Sequence, residues 1–130
     1  RIVLVHDAAR PFVGRETIDA VIACARSGVG ATAAVPVSDT IKEVGDGARI
    51  LRTVPRESLW RAQTPQGFPR PMLERAYARL RPDDPPPTDD AELCERAGFP
   101  VHVVADSGHN LKVTTADDFR IAEALARELR

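Results

Sequence analysis

Cysteine is scarce in this 130-residue chain. Cys24 and Cys94 are the only two, far apart and each inside a helix-like stretch. That pattern offers neither metal-ligand spacing nor the disulfide framework of a small secreted domain, so buried free thiols are expected. His6 and His109 also lack a partner at ligand spacing, and local hydrogen bonding is expected of both. Charge of one sign is missing too: 18 basic and 19 acidic residues give a formal net charge of -1. Electrostatic attraction to nucleic acid or to an anionic membrane is thereby excluded as a driving force. Neither a leader-like apolar region nor a long apolar span occurs, which points to a soluble, cytoplasmic chain. Finally, no glycine-rich loop follows a strand. The early pair Gly28 and Gly30 follows a helix and reads as its C-terminal cap.

With 43% hydrophobic and 28% charged residues, the chain matches one globular domain over 1–130. Ile2 to Val5 is a short apolar strand. Glu16 to Ser27 spaces Ile18, Val21, Ile22 and Ala25 as one helical face, and Ala31 to Val37 is a small, β-branched strand suited to burial on both sides. Together they predict a βαβ unit in a parallel sheet. Downstream, Pro71 to Leu80 and Asp89 to Ala97 read as helices and Val101 to Ala105 as a strand. Thr115 to Leu129 reads as a closing helix, opened by a capping box between Thr115 and Asp118. The expectation is an α/β, Rossmann-like, mostly parallel sheet with flanking helices.

The run Val5-His6-Asp7-Ala8-Ala9-Arg10-Pro11 sets a carboxylate and a guanidinium where the first strand ends, and Pro11 cannot extend a central strand. Ligands collect at the carboxyl edge of open α/β sheets, and this pair has the charges for a divalent cation and a phosphate. A capped turn, with Asp7 accepting backbone N–H groups and Arg10 solvated, is the competing reading. Near the other end, His109 to Thr115 alternates polar and apolar residues and projects Asn110, Lys112 and Thr114 to one side of an extended segment. Lys112 is then either a fixed ammonium beside the sheet edge or a solvated edge lysine.

Two inserted features stand apart. Residues 39–56 contain a β-hairpin whose turn is Gly45-Asp46-Gly47-Ala48. A two-stranded ribbon is marginal alone, so it lies either on its own domain or on another subunit. The proline-rich tract Arg81 to Pro87 leads into Thr88-Asp89-Asp90-Ala91, a helix start that serves as a cap or as an anion site through free amides.

Six segments in this order, Val5 to Pro11, Pro36 to Lys42, Thr53 to Trp60, Ala62 to Phe68, Thr88 to Ala91 and Asn110 to Thr114, resemble the 2-C-methyl-D-erythritol 4-phosphate cytidylyltransferase family. A relative acting on ribitol 5-phosphate is similar, but Ala9, the Arg-x-x-Leu-Trp block from Arg56 and the Thr-Asp-Asp-Ala run from Thr88 favour the methylerythritol branch. The resemblance implies attack of the acceptor's phosphate on the α-phosphorus of CTP with Mg²⁺ present, releasing pyrophosphate on the non-mevalonate route to isoprenoids. It further implies that Asp7 binds the metal, that Arg56 and Lys112 position the acceptor phosphate, and that Arg10, Thr40, Thr64 and Thr88 touch substrate. It makes the hairpin a dimerisation arm carrying Thr40 and Arg56 toward a partner's site. One departure accompanies it: the family's glycine-rich, Arg- and Lys-bearing loop for the CTP phosphates is not found. The chain is therefore expected to be the C-terminal part of such an enzyme, inactive by itself. The other readings are a ribitol-phosphate cytidylyltransferase and a non-catalytic dimerisation or phosphate-binding remnant.

Overall fold

The computed structural model describes Arg1–Arg130. In chain order its elements are β1 (Ile2–Val5), α1 (Arg15–Arg26), β2 (Gly30–Pro36), β3 (Ile41–Val44), a 3₁₀ turn (Asp46–Ala48) and β4 (Ile50–Val54). They continue with β5 (Trp60–Pro69), α2 (Arg70–Arg79), α3 (Asp90–Arg96), β6 (Val101–Ala105) and α4 (Ala116–Glu128). Most of these follow from local patterning. The periodic face of α1 buries Val21 and Ala25, and the helix stops where Gly28 takes φ +100°, a conformation costly for residues with a Cβ. The Thr115–Asp118 capping box opens α4 as expected.

The main sheet has the order β1-β5-β2-β6. Strands β1, β2 and β6 run the same way, but β5 lies antiparallel between β1 and β2, and only β2 and β6 are hydrogen-bonded in parallel. The sheet is thus mixed, with three of its four strands running the same way and β5 reversed. The predicted βαβ unit exists with a strand intercalated in it. Strand β5 is not legible as a strand because it contains Pro65 and Gly67 and ends at Pro69, residues that normally argue against a central strand. The register explains the tolerance. Ladder pairing with β2 shifts between Thr32 and Ala34, and Pro65 falls in that irregularity, where no ladder donor is needed. Gly30 is likewise a buried residue of β2 and not part of the α1 cap.

Consecutive β5 residues face opposite sides. Gly67 faces α1, where an added Cβ would stand 2.7 Å from Val21 Cγ1 and 2.8 Å from Leu4 Cδ2. Phe68 faces the other layer, a core of Met72 and Ala76 from α2 with Ala91, Leu93 and Cys94 from α3. Burial pushes the Cys94 thiol up to about 11, so it is an inert apolar filler at neutral pH; Cys24 is half-buried and also free. Gly67→Ala is therefore expected to force α1 away from the sheet and to destabilise the fold by about 1–3 kcal/mol, as read by urea unfolding.

The hairpin β3–β4 forms its own two-stranded sheet between β2 and β5. Val44, Ile50 and Leu51 on it are exposed. No helix is long and apolar enough to cross a membrane.

Candidate functional site

The end of β1, the middle of β5 and the loop after β6 meet at one place. Arg10 Nε donates to Asp7 Oδ2 at 3.1 Å, and the Arg10 side chain is only 12% exposed. The carboxylate therefore engages a guanidinium and not turn amides, which decides against the capped-turn reading. The turn itself is present as Arg10 N to Asp7 O. Arg10 is held in place by a second bond, from Nη1 to the Asn110 carbonyl at 2.7 Å. Lys112 Nζ stands 3.8 Å from the same Asp7 oxygen, half exposed and able to turn toward a ligand.

Asp7 is fixed from behind. Its N–H donates to Thr64 Oγ1 at 2.9 Å. His6 Nε2 lies 2.9 Å from the Arg10 carbonyl, which only accepts, so Nε2 carries the proton. In the neutral ring Nδ1 then accepts from the Thr64 hydroxyl at 3.0 Å. Thr64 spends its hydroxyl on positioning Asp7, and His6 has the local hydrogen-bonding role expected of it.

The segment carrying Lys112 is not a strand. It is a loop anchored by Val113 N to Ala9 O at 2.8 Å and by the buried Asn110, whose Nδ2 donates to the Thr64 carbonyl at 2.7 Å and to Asp106 Oδ2 at 2.9 Å. Asp106 in turn accepts from Thr17 on α1 at 2.9 Å. Alternation groups Asn110 with Lys112, but it reveals neither this buried tie nor the role of Asp106. Thr114 is exposed, and its hydroxyl donates at 2.8 Å to the carboxylate of Asp118, beside the Thr115 cap of α4.

A cleft of about 360 Å³ opens beside this cluster, lined among others by Arg10, Arg61, Gln63, Lys112 and Asp118. Arg10, Arg61 and Lys112 outnumber the carboxylates of Asp118 and the adjoining Asp7, which favours an anionic ligand, and the volume falls in the usual range for small-molecule sites. Arg61 and Gln63 escape the sequence reading because β5 is not recognisable in it.

The other expected residues lie apart. Thr40 is exposed just before β3, and Arg56 donates to Ser38 O at 2.8 Å at the foot of the hairpin, without contact to Asp7 or Lys112. Thr88 is exposed, and two amides of the helix start behind it are already paired. Ala91 N is taken by Gln66 Oε1, Glu92 N by Asp89 Oδ1 and Thr88 N by Glu92, so the capping alternative is the one with bonds behind it. Hydrogen bonds from the Thr88 amide and hydroxyl, then from Arg96, hold the Glu92 carboxyl down at about 2. A lowered folded pKa means this contribution is complete above the ordinary carboxyl range and disappears as the pH falls through about 2. The melting temperatures of the wild type and Glu92→Gln should accordingly differ above pH 5 and converge toward pH 2.

No group of three His, Cys, Asp or Glu side chains is gathered anywhere. A cation caged wholly by protein does not fit this site. A Mg²⁺ that arrives with substrate phosphates does fit, because such ions need only one or two carboxylates, and the bonds to Asp7 described above use Oδ2 alone.

A family model described as IspD, 2-C-methyl-D-erythritol 4-phosphate cytidylyltransferase, matches residues 1–128. A protein of that name from Syntrophus aciditrophicus is 46% identical over 127 residues, which are 98% of this chain and 54% of that protein. A bifunctional enzyme IspD/IspF from Anaeromyxobacter dehalogenans is 46% identical over 127 residues, covering 95% of this chain and 33% of its own length. The crystal structure of the cytidylyltransferase from Thermus thermophilus superposes with a TM-score of 0.88 at 40% identity, over 97% of this chain and 62% of that one. The chain spans about half the length of the single-function relatives it matches. Its fold and the matched sequence together place the chain in the 2-C-methyl-D-erythritol 4-phosphate cytidylyltransferase family.

Proposed function

We propose that the chain forms the acceptor side of a cytidylyltransferase that joins CTP to 2-C-methyl-D-erythritol 4-phosphate. The observation that carries this reading is the Asp7–Arg10–Lys112 cluster on the rim of a cationic cleft at the carboxyl end of β1. In the proposed reaction an oxygen of the acceptor's phosphate forms a bond to the α-phosphorus of CTP. The bond from that phosphorus to the bridging oxygen breaks, and pyrophosphate leaves with the electron pair. Two anions must be brought together, so the task is charge neutralisation and alignment more than proton transfer. Arg10, with its guanidinium pinned by Asp7 and Asn110, presents a fixed positive wall, while the half-exposed Lys112 reaches the incoming phosphate. Bound with the nucleotide, Mg²⁺ would supply Lewis-acid neutralisation of the donor phosphates, with Asp7 as its protein ligand.

Residues 39–56 act in this reading as a dimerisation arm delivering Thr40 and Arg56 to a partner's site. Its support is the hairpin's separate sheet and its exposed Val44, Ile50 and Leu51, since a two-stranded ribbon needs a surface to lie on. Thr88 is retained in this reading as a substrate contact.

The test is pyrophosphate release from CTP, measured on the protein at the full length of its relatives. Release with methylerythritol phosphate and little with ribitol 5-phosphate is expected. Preference for ribitol 5-phosphate would move the assignment to the sister activity, and no release with either would leave a phosphate-binding module.

A further inference from the structure

We infer that Gln63 is a specificity-determining residue of the cleft, its side-chain amide reading a hydroxyl group of the phosphorylated polyol whose phosphate the neighbouring cations hold. The inference rests on the acceptor-side reading above. Gln63 is 7% exposed, and its Oε1 is buried without a hydrogen-bond donor. Buried polar atoms in folded proteins are nearly all paired, so an orphan calls for a partner that the chain does not supply. Location indicates what that partner is. Gln63 lines the same cleft as Arg10, Arg61 and Lys112. Three cations call for an anion, whereas a neutral amide adds little to anion binding and is suited to a hydroxyl. A phosphate monoester with hydroxyls along its carbon chain satisfies both.

The backbone keeps this reader in place. The Gln63 carbonyl accepts from Thr32 Oγ1 at 3.1 Å and from Gln66 Nε2 at 3.2 Å, which fixes the stem within the irregular part of the β2–β5 ladder. The amide itself can turn about a soft, two-fold terminal torsion and bring its oxygen to the cleft without moving the strand. The other orphan, Asn110 Oδ1, does not line this cleft, so Gln63 is the candidate that a ligand can reach. Sites built to bond a substrate hydroxyl discriminate strongly against analogues that lack it, because their own polar group is then left unpaired.

Titration calorimetry on the protein at the full length of its relatives separates this role from the cationic one. The probes are n-butyl phosphate, which has the phosphate and no hydroxyl, and methylerythritol phosphate. The wild type is expected to bind the polyol phosphate at least about tenfold more tightly, and Gln63→Met to lose most of that ratio while keeping its affinity for butyl phosphate. An unchanged ratio in Gln63→Met would overturn the role of Gln63 and leave the acceptor-side reading standing. Failure of the wild type to bind either phosphate ester would overturn both. Unfolding of Gln63→Met would also overturn the inference, because it would show the amide serving the fold and not a ligand.

Discussion

Replacing Asp7 by Asn, in the protein at the length of its relatives, is expected to lower turnover by about a hundredfold or more, a loss of ~3 kcal/mol of charge stabilisation, and to leave the fold almost untouched. The substitution keeps the side chain's shape. The backbone N–H of Asp7 retains Thr64, since that bond does not involve the carboxylate. What disappears is the negative charge between Arg10 Nε at 3.1 Å and Lys112 Nζ at 3.8 Å. Two cations without their common anion separate, and the proposed metal ligand is gone as well. The effect should therefore appear in kcat and in the Mg²⁺ concentration giving half-maximal rate, with little change in the melting temperature. The opposite pattern, unfolding of the variant with full specific activity in whatever remains folded, would make Asp7 a structural cap.

The site is legible in part, and the boundary has physical causes. Asp7, Arg10 and Lys112 can be found because charges at element ends stand out from apolar runs, and the structure brings all three onto one carboxylate oxygen, from loops at the two ends of the chain. Helices α1, α2, α3 and α4 are legible from 3.6-residue spacing and caps. Strand β5 is not. Local preference opposes a strand through Pro65, Gly67 and Pro69, and the override comes from pairing on both sides with β1 and β2, which no local window contains. Everything that β5 positions is lost with it: the mixed sheet, the cleft-lining Arg61 and Gln63, and the contact of Thr64 with the Asp7 amide. Asn110 is misplaced for a related reason. Alternation assigns a side, but whether a polar side chain there meets water or is buried against the Thr64 carbonyl depends on what the remaining chain puts opposite.

Arg56 provides the second large effect, and its position makes subunit sharing testable. Within one chain its side chain bonds only Ser38 at the foot of the hairpin, away from the Asp7 cluster, so a role in phosphate binding requires the arm to deliver it to another site. In the protein at the length of its relatives, Arg56→Ala should remove a charge-assisted phosphate contact worth roughly 1.5–3 kcal/mol, raising the acceptor's half-saturation or lowering turnover without abolishing CTP binding. Asp7→Ala should be deficient for a separate reason. If each site combines Asp7 of one subunit with Arg56 of its neighbour, a mixed dimer of the two variants contains one site with both residues intact and one site with neither. After dissociation and reassociation of equal amounts, half the dimers are mixed and one site in each is restored, so activity should recover to about a quarter of the wild-type rate per subunit. The measurement is pyrophosphate release against the fraction of mixed dimers, counted by native mass spectrometry. Recovery in proportion to that fraction supports the arm as a shared catalytic element. Verified mixed dimers with no recovery would put Arg56 outside the partner's site and return the hairpin to an ordinary ribbon lying against its own domain.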